Sequence, residues 1–126
     1  MKKIISTSKA PKAIGPYSQA VEANGMLYVS GQVPLNPETG TVVEGGIKEQ
    51  TTQAMKNIGE ILKTAGYGYS DVVKTTCLLR TMDDFAAMNE VYGKYFPADQ
   101  PARAAFAVKG LPLDVLIEIE TVAAKS

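Results

Sequence analysis

The hydrophobic and polar positions of this chain fall into blocks of two periods, two residues and roughly three and a half. Residues 17–30 read as a β-hairpin: two short segments flank Asn24-Gly25, a pair suited to the positive φ angles of a type I′ turn. The second segment, starting at Met26, runs into Ser30-Gly31-Gln32, and residues 36–40 follow as a turn cluster. Between 47 and 65, apolar or small side chains stand at 47, 51, 54, 58, 61, 62 and 65. That is helical spacing, and Gly66 sits where a left-handed cap ends a helix. Val72 to Leu79 is β-branched and strand-like. Thr81 with Asp84 three residues on resembles a capping box. It opens a helix with Phe85, Met88, Tyr92 and Tyr95/Phe96 on one face, and Pro97 fits its stop. Segments 102–108 and 115–123 read as two strands around the turn at Gly110–Asp114.

The order is hairpin, helix, strand, helix, two strands. It predicts an α+β fold, a mixed β-sheet with two helices on one face, in one unit spanning residues 1–126. Two helices cover one sheet face only. The other face must tolerate water or be covered by another subunit, so the pattern favours an oligomer.

Composition removes several kinds of chemistry. Thirteen basic and thirteen acidic side chains cancel, and the longest basic run is Lys2-Lys3, so nothing favours nucleic acid or an acidic membrane surface. No stretch approaches the roughly 18 apolar residues that a membrane span needs. The start has two lysines and no apolar block behind them, so no secretory signal is expected there. With Cys77 the single cysteine, the expected setting is a reducing cytoplasm. There is no histidine at all. Histidine triads, histidine-ligated zinc and histidine general bases are excluded, and one cysteine makes no thiolate metal site. The expectation is therefore no metal and no cofactor.

The strands then offer candidate chemistry. On 102–108, Arg103, Ala105 and Ala107 share one face, and Ala102, Ala104, Phe106 and Val108 share the other. On 115–123, Val115, Ile117 and Ile119 form an apolar face, so Glu118 and Glu120 point away from it. If both apolar faces lie beneath the helices, Arg103, Glu118 and Glu120 all lie on the open side. A guanidinium fork matches a carboxylate in two-point geometry, and a nearby Glu can orient or deprotonate water. That set suits a small anionic substrate attacked by water. It equally suits ordinary charge pairs at a subunit contact. Tyr17 could close over a pocket or be an interface aromatic. Gly31 after Ser30 could present backbone N–H groups or simply end a strand. Asn89 could reach a ligand or face solvent, and Cys77 reads as a buried, inert thiol.

Several separated segments carry a resemblance. Ala13-Ile14-Gly15-Pro16-Tyr17-Ser18-Gln19, Val29-Ser30-Gly31-Gln32-Val33-Pro34, Asn89-Glu90-Val91-Tyr92, Pro101-Ala102-Arg103 and Ile117-Glu118-Ile119-Glu120 occur in that order. With them the chain resembles the RidA/YjgF family of reactive-intermediate deaminases, nearly end to end. The resemblance implies a fold similar to Bacillus-type chorismate mutase, assembled as a homotrimer with clefts between subunits. It implies hydrolysis of 2-aminoacrylate and related 2-imino and 2-enamino acids to 2-oxo acids and ammonia, as a 2-iminobutanoate/2-iminopropanoate deaminase, without metal or cofactor. Carried over by residue, Arg103 holds the substrate carboxylate and Glu120 positions the attacking water. Ser30 and Gly31 add backbone contacts, and Tyr17 and Asn89 line the cleft.

One position departs from the family. Many members carry a cysteine two residues after the arginine, and here Ala105 stands there. Its backbone can still contact substrate, but thiol chemistry at that point is unavailable. The competing reading is a trimer that senses small carboxylates without turning them over. An anion beside the ligand would weaken such a receptor, which favours an enzyme. A third reading, a ribonuclease, suits a neutral, histidine-free chain poorly.

Overall fold

The computed structural model describes residues 1–125. Strands β1 (Lys3–Ile5), β2 (Ala20–Ala23) and β3 (Met26–Gln32) precede helix α1 (Ile47–Thr64). Then come β4 (Val72–Leu79), α2 (Phe85–Tyr95), β5 (Ala102–Ala107) and β6 (Ile117–Ala124). The α+β reading holds, with one more strand than the pattern predicts. Only three residues long, β1 is too short to display a period.

Local chemistry explains the punctuation. Asn24 and Gly25 both take positive φ, 53° and 75°, as the type I′ hairpin requires. Helix α1 is entered through the Gly46 N–H, which donates to Glu49 Oε1 at 2.8 Å. It ends in a Schellman arrangement: Gly66 has φ of 85°, the Tyr67 N–H reaches the Leu62 carbonyl and the Gly66 N–H reaches that of Lys63. The Thr81 hydroxyl accepts from the Asp83 N–H at 3.2 Å, but it caps a single 3₁₀ turn, Met82–Asp84, which leads into α2. Asp84 makes no side-chain cap bond, so the expected reciprocal box is only half formed.

All six strands form one sheet in the order β1-β2-β3-β6-β4-β5. Every neighbouring pair is antiparallel except β4 and β5, which α2 joins as a parallel crossover. The last two strands thus flank the Gly110–Asp114 turn as expected but do not pair with each other. Strand β4 lies between them, and β5 ends the sheet.

Beneath the helices sits the core. Leu27 and Val29 of β3, Cys77 and Leu79 of β4, and Ile117, Ile119 and Ala123 of β6 meet Ala54, Met55, Ile58, Ile61 and Leu62 of α1. Each fully buried aliphatic side chain contributes roughly 1.5–3 kcal/mol over an exposed one. In β4 the buried positions are 72, 75, 77 and 79, not a clean alternation. A bulge between Val72 and Lys74 shifts the register and restarts the period.

The opposite face has no helix over it. Register places Ile4, Val21, Tyr28 and Val122 on one transverse row, and Phe106, Leu78 and Glu118 on another. Ile4, Tyr28 and Phe106 are each about half exposed there. Among the described residues, no helix is long and apolar enough to cross a membrane.

Candidate active site

The sheet carries two separate groups of candidate residues. The first surrounds a cleft of about 590 Å³ on the open face, lined by Tyr17, Ser30, Gly31, Glu118 and Glu120. It is shaped by a bulge in β3. Val29 pairs with Thr121 and Gln32 with Ile119, so Ser30 and Gly31 together stand opposite Glu120. At Gly31 any Cβ would collide with the carboxylate of Glu118. A side chain here would force the Glu118 carboxylate to move, so Gly31 gives it room inside the strand, which continues to Gln32.

Hydrogen bonds anchor the loop that carries Tyr17. The Ser30 hydroxyl donates to the Ser18 carbonyl at 2.6 Å, and the Ser30 N–H donates to the Gln19 carbonyl at 2.9 Å. Ser30 therefore holds the loop, and its hydroxyl is already engaged. Gln19, missed in the sequence, is the second anchor. Its side chain is buried, accepts the Thr7 N–H at 2.7 Å and donates to the Pro11 carbonyl at 2.8 Å. The signal that could have found it is a polar residue inside the hairpin's first segment, with no solvent face of its own. Tyr17 itself stays about half exposed beside the glutamates. Burial pushes the Glu118 carboxyl above its ordinary value, and the neighbouring charge of Glu120 pushes it the same way.

The second group lies across the sheet. Arg103 pairs in register with Thr75 of β4, which is buried beneath the helices, whereas Glu120 pairs with Thr76. Residues paired across a sheet share a face, so Arg103 points to the helix side and Glu120 to the open side. The expectation that Arg103 joins Glu118 and Glu120 on the open face is therefore wrong for Arg103. It is wrong, too, for Ala102, Ala104 and Phe106, which line that open face. The cause is α2, which gives the guanidinium a bed of aromatic rings. Its carbon lies 5.0 Å from the Tyr92 ring centroid and 5.3 Å from that of Phe85. Arg103 Nη1 donates to Asn89 Oδ1 at 2.6 Å, and the Tyr92 hydroxyl is fixed to that of Thr75, also at 2.6 Å. Asn89 and Arg103 thus belong together, lining a shallow cleft of about 430 Å³ with Tyr92 and Gln100.

Neither ion pair among the described residues involves Arg103; they join Lys48 to Glu90 and Arg80 to Asp114. The guanidinium is oriented but not neutralised. Ala105 shares its face, half-buried against the core and in register with Cys77. Cys77 is 0% exposed, and burial raises its thiol to about 11 although Arg103 acts to lower it. Such a thiol stays protonated near neutrality and is no nucleophile.

A family model described as Endoribonuclease L-PSP matches residues 7–125. The chain belongs to this family, the RidA/YjgF family. A mouse member, named 2-iminobutanoate/2-iminopropanoate deaminase, is 54% identical over 123 residues, covering 98% of this chain and 91% of that protein. The solved Thermotoga maritima protein TM0215 superposes with a TM-score of 0.98 at 50% identity, covering 100% and 99% of the two chains. Escherichia coli TdcF, solved with bound serine, gives 0.94 at 39% identity over 98% and 99%. The RidA/YjgF resemblance drawn from the motifs is thus correct, and the six-stranded α+β architecture is shared with these neighbours. Chemically, this RidA/YjgF chain presents a preset guanidinium at one sheet edge and two adjacent carboxylates in a cleft on the other face.

Proposed function

We propose that this chain is a hydrolytic deaminase of 2-aminoacrylate and related enamine and imine acids, releasing 2-oxo acids and ammonia. We further propose that its site forms between copies, in a homotrimer that joins the Glu120 cleft of one chain to Arg103 of the next. The observation that carries this reading is the placement of Arg103 and Glu120 on opposite faces of one sheet. Neither residue is paired with the other within the chain, and both are exposed at the surface. The half-exposed apolar row of Ile4, Tyr28 and Phe106 on the open face is surface that a second copy would cover.

The reaction asks for little more than these groups. Arg103 grips the substrate carboxylate with the donors that Asn89 leaves free. An enamine substrate first takes a proton from water at C3 and becomes the iminium; Glu120 then accepts a proton as water oxygen adds to the imine carbon. The carbon–nitrogen bond then breaks, nitrogen leaves as ammonia after taking up protons, and the carbonyl of the 2-oxo acid remains. No electrons are gained or lost overall, so the chemistry calls for no redox cofactor. The imine carbon is already electrophilic, and orientation with a modest base suffices. The name of the mouse relative supports this reading over a receptor without turnover. The serine in TdcF shows that a relative takes a small amino acid.

The test is release of pyruvate and ammonia from freshly generated 2-aminoacrylate by protein dialysed against a chelator, with RNA as a parallel substrate. Acceleration of the imine reaction and intact RNA are expected. Acceleration only after adding metal or pyridoxal phosphate would overturn the cofactor-free reading, and RNA cleavage alone would overturn the deaminase reading.

A further inference from the structure

The cleft that holds Glu120 has a second wall, which water attack does not use. Leu113 and Asp114 are consecutive non-glycine residues in the left-handed region, with φ of 57° and 55°. Leucine gains nothing locally from that conformation, unlike asparagine or aspartate. The segment is held there from both ends. Val115 is 1% exposed, the Leu116 N–H donates to Gln50 Oε1 of α1 at 2.8 Å, and the Leu116 carbonyl accepts from the Arg80 N–H at 3.0 Å. Asp114 pairs with Arg80 at 3.3 Å. Backbone strain of this kind persists only where the surroundings over-determine it, and it gathers at ligand-contacting segments.

The strained turn leaves the Leu113 side chain 60% exposed, on the cleft wall beside Ile14 and Leu35. Ile14 is itself 80% exposed. Two large aliphatic side chains held out of the core, at the mouth of a cleft ending in a candidate base, are surface waiting to be covered. The volume agrees. At about 590 Å³ the cleft is in the range that holds ligands far larger than a three-carbon acid. The carboxylate, C2 and its nitrogen are spoken for by Arg103 and Glu120, and what remains of an imine acid is its side chain.

We propose that Leu113, with Ile14 and Leu35, receives the side chain of the substrate, so that this chain prefers 2-imino acids with a branched aliphatic side chain to 2-iminopropanoate. The inference rests on the deaminase reading and deepens it. Hydrophobic pockets discriminate by about tenfold or more per methylene.

The experiment compares kcat/KM for imines generated from leucine and from alanine by an amino-acid oxidase. Wild type should favour the leucine imine. Leu113→Asn keeps a residue that tolerates the left-handed backbone while removing the apolar surface, and it should lower the leucine-to-alanine ratio about tenfold. Ile14→Thr, at a position free of backbone strain, should lower the same ratio less. A wild-type preference for the alanine imine, or a ratio unmoved in both variants, overturns the inference and leaves the deaminase reading intact. A shift that appears only with dissociation of the assembly, seen by sedimentation, overturns it as well. Failure to turn over either imine overturns the deaminase reading itself.

Discussion

Arg103 and the pair Glu118/Glu120 are the two charged regions on which the proposed reaction rests, and they are built in opposite ways. The arginine is fully prepared. Two aromatic rings flank it, Asn89 fixes one nitrogen, and α2 supplies all three supports. The glutamates are unprepared. They stand two residues apart on one strand face, beside Gly31 in the β3 bulge, and burial together with the charge of Glu120 raises the Glu118 carboxyl. A cation can be ordered in advance because rings and an amide oxygen stabilise it without neutralising it. Two anions cannot be ordered without a counter-charge, and this chain keeps its best counter-charge on the other face. On the shared-site proposal, each half is finished as far as one chain can finish it.

The largest effect should come from the glutamate side. Glu120→Gln removes the base with almost no change in volume, and turnover should fall about 10²–10⁴-fold. Affinity for a 2-oxo acid product, read by calorimetry, should change far less. Equal losses in both would make Glu120 a structural residue. On the other side, Arg103→Lys keeps the charge but loses the planar grip and the fit between rings and Asn89. The expected loss is about 1.5–3 kcal/mol in transition-state terms, roughly 10- to 150-fold in kcat/KM. A lysine variant with wild-type turnover would erase the contrast between the two regions.

Mixing sharpens it. Arg103→Lys and Glu120→Gln chains, unfolded together and refolded as mixed assemblies, should regain part of the activity that neither has alone. Some contacts would then join an intact arginine to an intact glutamate. No regain over the sum of the separate variants would place the whole site within one chain.

The smallest effect concerns stability and pH. The Glu118 carboxyl is raised in the folded chain, so the folded state holds its proton more tightly than the unfolded state does. The stability this contributes is complete below the ordinary glutamate value and is lost as pH rises through the raised one. Glu118→Gln should therefore raise Tm at pH 7, leave it nearly level with wild type at pH 4, and flatten the slope between. Thermal melts across that range check the sign. A variant less stable at pH 7 would show that the carboxylate is held by favourable contacts and not merely tolerated.

The sequence foretold the hairpin, both helices and the face of the two glutamates, each for a local reason. Asn24-Gly25 states its turn type, α1 carries its apolar stripe through five turns, and Ile117 and Ile119 can only face a core. What escaped it depends on neighbours remote in the chain. Strand β5 has no buried residue, so its alternation carries no information about which side the helices take. The face bearing Phe106 reads as the apolar one and so as the one beneath the helices, which puts Arg103 on the open side; instead Tyr92 and Phe85 hold its guanidinium on the α2 side. The bulge at Ser30-Gly31 was legible only as a turn, since its purpose is set by Glu118 some ninety residues later. The division of candidate residues between two faces follows from strand order, which puts β6 between β3 and β4 and no short-range pattern encodes.

Strand β5 has a further consequence. It ends the sheet, and four of its six side chains are alanine, so its unpaired border offers little bulk or charge to repel another strand. Asp99 before the strand and Lys109 after it are the nearest charges that flank it in sequence. If the proposed assembly also covers this border, a substitution that loosens it does two harms together: the shared site is lost and an unpaired strand lies bare. On the shared-site proposal, loss of turnover and gain of aggregation are expected together, as one trait.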